Sequence, residues 1–418
     1  MKKANLLYAQ SGGVTAVINA TAASVIDAAR RRPDAVGRVL AARHGIVGVL
    51  GEDLVDTAPL SAMDLERLSH TPGGTFGSCR FDIDAPDTNP AQYDRLFDVF
   101  AAHGIGYFLY NGGNGSMDAV VKVSLAARRR GYPLVCIGVP KTVDNDLEGT
   151  DCSPGFGSAA KYAAAAMLEA GLDLVSMASR VGRAFVLEVM GRNAGWIAAA
   201  TALASRGDDE PPHIILMPEV PFDEAPFLAA VEATVARLGY CAITVSEGIR
   251  RADGTLLMEQ SKDAKGHIQL GGAGQCVARL VSRRLGYKHH WAIPDYLQRA
   301  AGHLVSATDY AQARAVGHAA VEYAIAGRDR VMPGIRRVVD VPYRWTVEPV
   351  DASAIANFER RVPASFIRAD GLHVTEAARR YLRPLIEGEL SPPFSGGLPD
   401  YPRFVLPAVA RVLPPYRP

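Results

Sequence analysis

The chain has 418 residues, 48% of them hydrophobic and 21% charged, with a formal net charge of +1 at pH 7. The composition excludes a disordered chain, and the length exceeds what one small core organises, so two units, or two with an extension, are expected. The balanced charge gives no global attraction for nucleic acid or an anionic membrane, and no apolar stretch approaches the ~20 residues of a membrane span.

In chain order, Lys2 and Lys3 precede an apolar run that ends before Gln10-Ser11-Gly12-Gly13, too short for a secretory signal. Leu6 to Ala9 within it reads as a buried strand, followed by a helical stretch over 16–32. Gly73-Gly74 lies shortly before Arg80. Tyr107 to Tyr110 leads through Gly112-Gly113-Asn114-Gly115-Ser116 into a helix from Met117 to Arg130. The strand Leu134 to Val139 runs into the loop Lys141 to Asp146. Phe185 to Met190 leads through Gly191-Arg192-Asn193-Ala194-Gly195 into a helix from Trp196 to Ser205. His213 to Met217 and Ala242 to Ser246 read as two more buried strands. The alternation predicts an α/β chain whose parallel sheets are covered by helices, with ligands beyond the carboxyl ends of the strands, where these glycine-rich turns fall. The expected division is 1–153, 154–294, a segment 295–340 crossing back to the first unit, and a proline-rich extension 341–418 that wraps the core. No solenoid repeat or low-complexity tract is present.

Glycine pairs let backbone N–H groups approach an anion, and a following helix N-terminus adds favourable partial charge. Gly12-Gly13, Gly73-Gly74 and Gly112-Gly113, with Arg80 close after the second, point to a phosphate site. The loop Pro140 to Asp146 is more distinctive, with two carboxylates flanking Asn145 directly after a strand and Lys141 three residues before the first. Asp144 and Asp146 could cap a turn, or one could act as a general base while Lys141 balances charge on a transferring phosphoryl group. Arg180, Arg183 and Arg192 form one candidate anion clamp, and Tyr296-Leu297-Gln298-Arg299 another. Glu247 ends a strand where it could accept hydrogen bonds from sugar hydroxyls. Gly155-Phe156-Gly157-Ser158-Ala159-Ala160 matches a dinucleotide fingerprint but follows a polar loop instead of a strand. His289-His290 has no partner at metal-ligand spacing. The five cysteines, Cys79, Cys136, Cys152, Cys241 and Cys276, form no C-x-x-C pair, which predicts free thiols and a cytoplasmic protein.

SGGVTAVIN, GGTFGSCR, GGNGSMD, PKTVDND, EVMGR, SEG and YLQR occur in the order seen in phosphofructokinases, which the chain resembles over about residues 5 to 330. The resemblance is to the branch that uses inorganic diphosphate, and it implies two Rossmann-like parallel-sheet domains of the phosphofructokinase fold, here with a C-terminal extension. It implies phosphoryl transfer from diphosphate to fructose 6-phosphate, with Mg2+ as cofactor. Carried over by position, Asp144 is the base and Lys141 and Arg80 stabilise the transferring group. Thr142, Val143 and Asp146 belong to the sugar and metal loop. Met190, Gly191, Arg192, Glu247, Tyr296, Leu297, Gln298 and Arg299 belong to the sugar-phosphate site. Gly12, Gly13, Gly113, Asn114 and Gly115 belong to the donor site, with Asn114 and Asp146 at the metal. Arg183 matches an arginine that reaches a neighbouring subunit's site, implying a homodimer or homotetramer. Gly266-His267-Ile268-Gln269 resembles a sugar-phosphate motif of ATP-using relatives, but it lacks that motif's arginine. Lys141 stands where ATP users have glycine, which favours diphosphate. Gly115 is the ATP-like choice, so an ATP-dependent enzyme stays as the alternative, and a silent sugar-phosphate sensor as a third reading.

Overall fold

The computed structural model describes residues 3–178, 182–258, 261–262, 268–356 and 358–416. Arg180, Gly266 and His267 lie outside them. Strands β1 (Ala4–Gln10), β2 (Val36–Ala42), β3 (Leu54–Asp56), β4 (Ile105–Gly112) and β5 (Val135–Pro140) come first. The chain then builds a second sheet from β6 (Arg183–Val189), β7 (Ile214–Leu216), β8 (Tyr240–Ser246) and β9 (Lys288–Ala292). It returns to the first sheet as β10 (Val331–Val339) and β11 (Arg344–Asp351).

The first sheet has seven strands in the order β11-β10-β5-β4-β1-β2-β3. Its interior pairs are parallel, while β3 and β11 are antiparallel edge strands. The second sheet, β9-β6-β8-β7, is parallel throughout. The mixed edges are the one departure from the expected parallel sheets. The interior strands are apolar runs buried on both faces, such as Leu6 to Ala9 and Cys241 to Val245. Helices must therefore cover both sides. Helix Ala307–Ile325 packs on helix Ile18–Arg30, with Gly317 close against Thr21. The expected helix from Trp196 to Ser205 is a short α-helix, Trp196–Ala200, continued by a 3₁₀ turn, Thr201–Ala204.

Gly155 starts helix Phe156–Ser176 instead of a dinucleotide loop. Its amide and that of Ser158 donate to the Asp309 carboxylate at 2.8 and 2.9 Å, and the Ser158 hydroxyl does so at 2.6 Å. A buried protein carboxylate thus occupies the place a phosphate would take. The end of the chain lies along β3, where Val409 N–H donates to Leu54 O at 2.8 Å. There Glu52 accepts from the amides of Val412 and Leu413 at 2.7 and 3.1 Å. All five cysteines are free. Among the described residues, no helix is long and apolar enough to cross a membrane.

Candidate active site

The carboxyl ends of β1, β4 and β5 face those of β6 and β8 across a cleft of about 1280 Å³. Of the three glycine pairs, the first and third reach this cleft. Gly73-Gly74 does not line it, and Gly74 packs on the Gln10 side chain.

On the β1 side, Gly12 turns the chain at φ +72°, the left-handed region that a side chain disfavours. Its amide donates to Cys79 O at 2.8 Å, and the Ser78 hydroxyl donates to Gly12 O at 2.6 Å. Those bonds fix the loop that carries Arg80. The Lys141 ammonium donates to Gly13 O at 2.5 Å. Arg299 Nη1 lies 2.5 Å from where a Cβ at position 13 would be, and Arg80 Nη2 at 4.0 Å from the same point. Three cations therefore surround a turn of bare backbone. Burial pulls the Lys141 ammonium down to about 8, helped by Arg299 and Arg80 and opposed by Asp144.

Helix Asn114–Arg129 begins at the end of β4, with Gly113 at its N-cap. Both amide atoms of the Asn114 side chain are buried without a hydrogen-bond partner. Gly115 faces Asp82, whose Oδ1 lies 3.5 Å from the Cβ position of residue 115.

The loop after β5 is held by Asn145, which sits at φ +55°. Asparagine tolerates that conformation better than most residues. Its Oδ1 accepts from Ser153 N–H at 3.0 Å. The Asp144 amide donates to Thr142 Oγ1 at 3.1 Å, and the Val143 side chain turns into the core. This places Asp144 and Asp146 in the cleft. Burial raises the Asp144 carboxyl, against the pull of Lys141, Arg192, Arg80 and Arg299. Burial, then Asp144, then Glu359 push Asp146 up to about 7. Asp146 Oδ1 is buried with no hydrogen-bond partner.

Those orphaned oxygens test the fit of a magnesium ion. Asn114 Oδ1 and Asp146 Oδ1 are hard oxygen donors left unsatisfied in one cleft, the donor type that magnesium takes. Among the described residues, no group of three or more His, Cys, Asp or Glu could hold a metal. Such a sparse set suits magnesium, which keeps waters and substrate phosphate oxygens as its other ligands.

On the facing side, Gly191 adopts φ +144°, and a Cβ there would lie 2.6 Å from Ala194 O. The turn is tied to the end of β8 by the Ser246 hydroxyl, which donates to Gly191 O at 2.6 Å. Met190 N–H donates to Gln298 Oε1 at 3.1 Å, and Gln298 Nε2 donates to Asp295 O at 3.1 Å. Gln298 therefore ties the turn after β6 to Asp295. Glu247 accepts from Gly191 N–H at 3.4 Å, and burial followed by Asp144 raises its carboxyl to about 7. The Arg299 guanidinium stacks 4.2 Å over Tyr296 and reaches the Gly13 turn, so it stands beside the end of β1.

Three of the expected sugar-phosphate residues, Gly191, Leu297 and Arg183, do not line this cleft. Leu297 is exposed beside it. Arg183 opens β6 at the opposite end, about 20 Å from Val189 at 3.3 Å per residue. Among the residues given no role from the sequence, Asp82, Glu188, Asn193, Asp295 and Glu359 line it. Glu188 lies inside the EVMGR run. It caps helix Ala273–Leu285 by accepting from Gly272 and Gly274 amides at 3.0 and 2.7 Å. Glu359 comes from the extension, where no motif marks it.

A cation-lined glycine turn facing a paired-aspartate loop, between two α/β sheets, defines a phosphoryl-transfer site of the sugar-phosphate kinase class. Residues 5–324 match the family described as phosphofructokinase, and the chain belongs to that family. It is 53% identical over 418 residues to the pyrophosphate--fructose 6-phosphate 1-phosphotransferase of Halomonas elongata, covering 100% of both. It is 55% identical over 402 residues to the enzyme so named from Methylococcus capsulatus, covering 96% of each. It superposes on the crystal structure of a pyrophosphate-dependent phosphofructokinase from Nitrosospira multiformis with a TM-score of 0.91, at 50% identity, covering 99% of each chain.

Proposed function

We propose that the chain transfers a phosphoryl group reversibly from inorganic diphosphate to the 1-hydroxyl of fructose 6-phosphate, giving fructose 1,6-bisphosphate and phosphate. The observation that carries the donor is Lys141, buried against the Gly13 carbonyl between Arg80 and Arg299. The ammonium fills space beside the glycine turn and concentrates positive charge for a small, highly charged donor. Asp144 takes the proton as the sugar O1–phosphorus bond forms, and the bridging oxygen–phosphorus bond of diphosphate breaks to release phosphate. Arg80 and Lys141 balance the charge on the transferring oxygens, and Gly12, Gly13 and Gly113 offer backbone around the leaving phosphate. Positioning and electrostatics account for most of the catalysis. Asn114 and Asp146 would hold magnesium, which would neutralise charge on the donor phosphates. Arg192, Glu247 and Tyr296 hold the sugar phosphate.

Arg183, remote from its own cleft, enters the sugar-phosphate site of a second copy in a homodimer or homotetramer. The protein works in the cytoplasm, in keeping with its free thiols.

Purified protein assayed with diphosphate and with ATP tests the donor. Turnover with diphosphate and little with ATP is expected, and a clear ATP preference overturns the reading. Asp144→Asn should lose about 10²–10⁴-fold in turnover while still binding fructose 6-phosphate, as measured by calorimetry. Near-normal turnover in that variant removes Asp144 as the base.

A further inference from the structure

One wall of the cleft comes from the extension. After β11 the chain passes beside the catalytic loop, where Glu359 pairs with Leu147 in an antiparallel bridge and Arg360 N–H donates to Asp146 O at 2.8 Å. The Arg360 guanidinium donates to the carbonyls of Thr150 and Asp151 at 3.1 and 2.5 Å and to the Tyr381 hydroxyl at 2.9 Å. It also lies 4.5 Å over the Trp196 ring, whose Nε1–H donates to Arg360 O at 3.0 Å. Two residues on, Val362 N–H donates to Glu219 Oε1 at 2.9 Å, the same oxygen that accepts from Gly195 N–H at 3.0 Å. Residues 359–362 are thus bonded on one side to the loop after β5 and on the other to the turn after β6. The Glu359 carboxylate lines the cleft, and its Oε1 accepts from Asn193 Nδ2 at 2.6 Å. Asn193 directly follows Arg192.

We propose that Glu359 is a positioning residue for the sugar site: acting through Asn193, it sets the Met190–Arg192 turn relative to the Asp144 loop. The C-terminal segment is then part of the active site and not only a cover for the core. The inference rests on the phosphoryl-transfer reading above. Its physical basis is that the turn contains Gly191 at a positive φ and gains no rigidity from that residue. A short hydrogen bond to a charged acceptor adds to the restraints from Ser246 and Gln298, and it is anchored by a strap that is itself held by Arg360. Small displacements of such a turn cost much more in rate than in stability.

The test uses Glu359→Ala, Asn193→Ala, their combination and Glu359→Gln in the full-length protein. The readouts are kcat, KM for each substrate, calorimetric affinity for fructose 6-phosphate, and the thermal midpoint. Each alanine variant is expected to lose about tenfold in kcat/KM for fructose 6-phosphate, with KM for diphosphate and the midpoint unchanged. The double variant should be no worse than the weaker single variant, because both remove one interaction. Glu359→Gln keeps an acceptor oxygen and should recover most of the loss. Additive losses, or a Glu359→Ala variant that matches the parent protein, show an incidental surface contact and overturn the proposal. So does a loss spread equally over both substrates with a lowered midpoint. If the unmodified protein fails to use diphosphate, the donor reading falls, while the calorimetric affinities still decide the role of Glu359.

Discussion

Lys141 and Glu247 are two cleft side chains whose ionisation falls near neutrality in opposite senses. Burial lowers Lys141 to about 8, so its ammonium is present below that pH and lost above it. If it pairs with diphosphate, kcat/KM for diphosphate should fall with an inflection near pH 8, and Lys141→Met should abolish the inflection. Loss of that one charge should also lower diphosphate turnover about 10²–10³-fold, as removal of one preorganised donor does elsewhere. A steady-state pH series on both proteins checks this, and an unchanged inflection in Lys141→Met assigns it to another group. Glu247 is raised to about 7, so its carboxylate becomes the major form as pH rises through that value. Affinity for fructose 6-phosphate should rise as pH passes upward through 7, and Glu247→Gln should remove that step from the calorimetric profile. Lys141, Asp144 and Glu247 were legible in the sequence because each stands at or near a strand end inside a distinctive run, and Arg80 because it closes the GGTFGSCR run. Asp82 was not, because its relevance depends on the bare backbone of Gly115 opposite it.

At the level of elements, the sequence showed the strands whose ends form the cleft, and it missed β2 and β10, each with four consecutive buried residues, as well as the edge strands β3, β9 and β11. The runs at β1, β4, β5, β6 and β8 are continuous apolar stretches, whereas β11 alternates exposed and half-buried positions along an edge. Nothing local distinguishes such a strand from the proline-rich segment that follows it. The fingerprint at Gly155 was ambiguous for a related reason. Its helix start is satisfied by Asp309, which lies more than a hundred residues away in sequence and beyond the reach of local reading. Asp309→Ala would strand the buried amides of Gly155 and Ser158. The cost should be about 2–4 kcal/mol of unfolding free energy by denaturant titration, from a lost cap and unsatisfied buried donors. A change below 1 kcal/mol, on the order of a surface substitution, would show that water replaces the carboxylate there.

For the whole molecule, the decisive residue is Arg183. It begins a strand whose other end carries the sugar-side turn, and its Nε is buried without a hydrogen-bond partner. The preceding helix, Phe156–Ser176, leaves Leu168, Leu172 and Val175 exposed at i, i+4 and i+7, an apolar stripe suited to a second copy of the chain. A site shared across a two-fold interface makes a prediction that a self-contained site does not. Arg183→Ala and Asp144→Asn should each be nearly inactive as homo-oligomers, because every site carries one lesion. Refolding the two together places both lesions in one site of a hybrid dimer and leaves the other site intact. Random pairing makes half the dimers hybrid, so the mixture should regain about a quarter of the parent activity. Activity that stays at the level of the separate variants, with hybrids verified by a size tag, would place Arg183 outside catalysis and leave each chain with a complete site of its own.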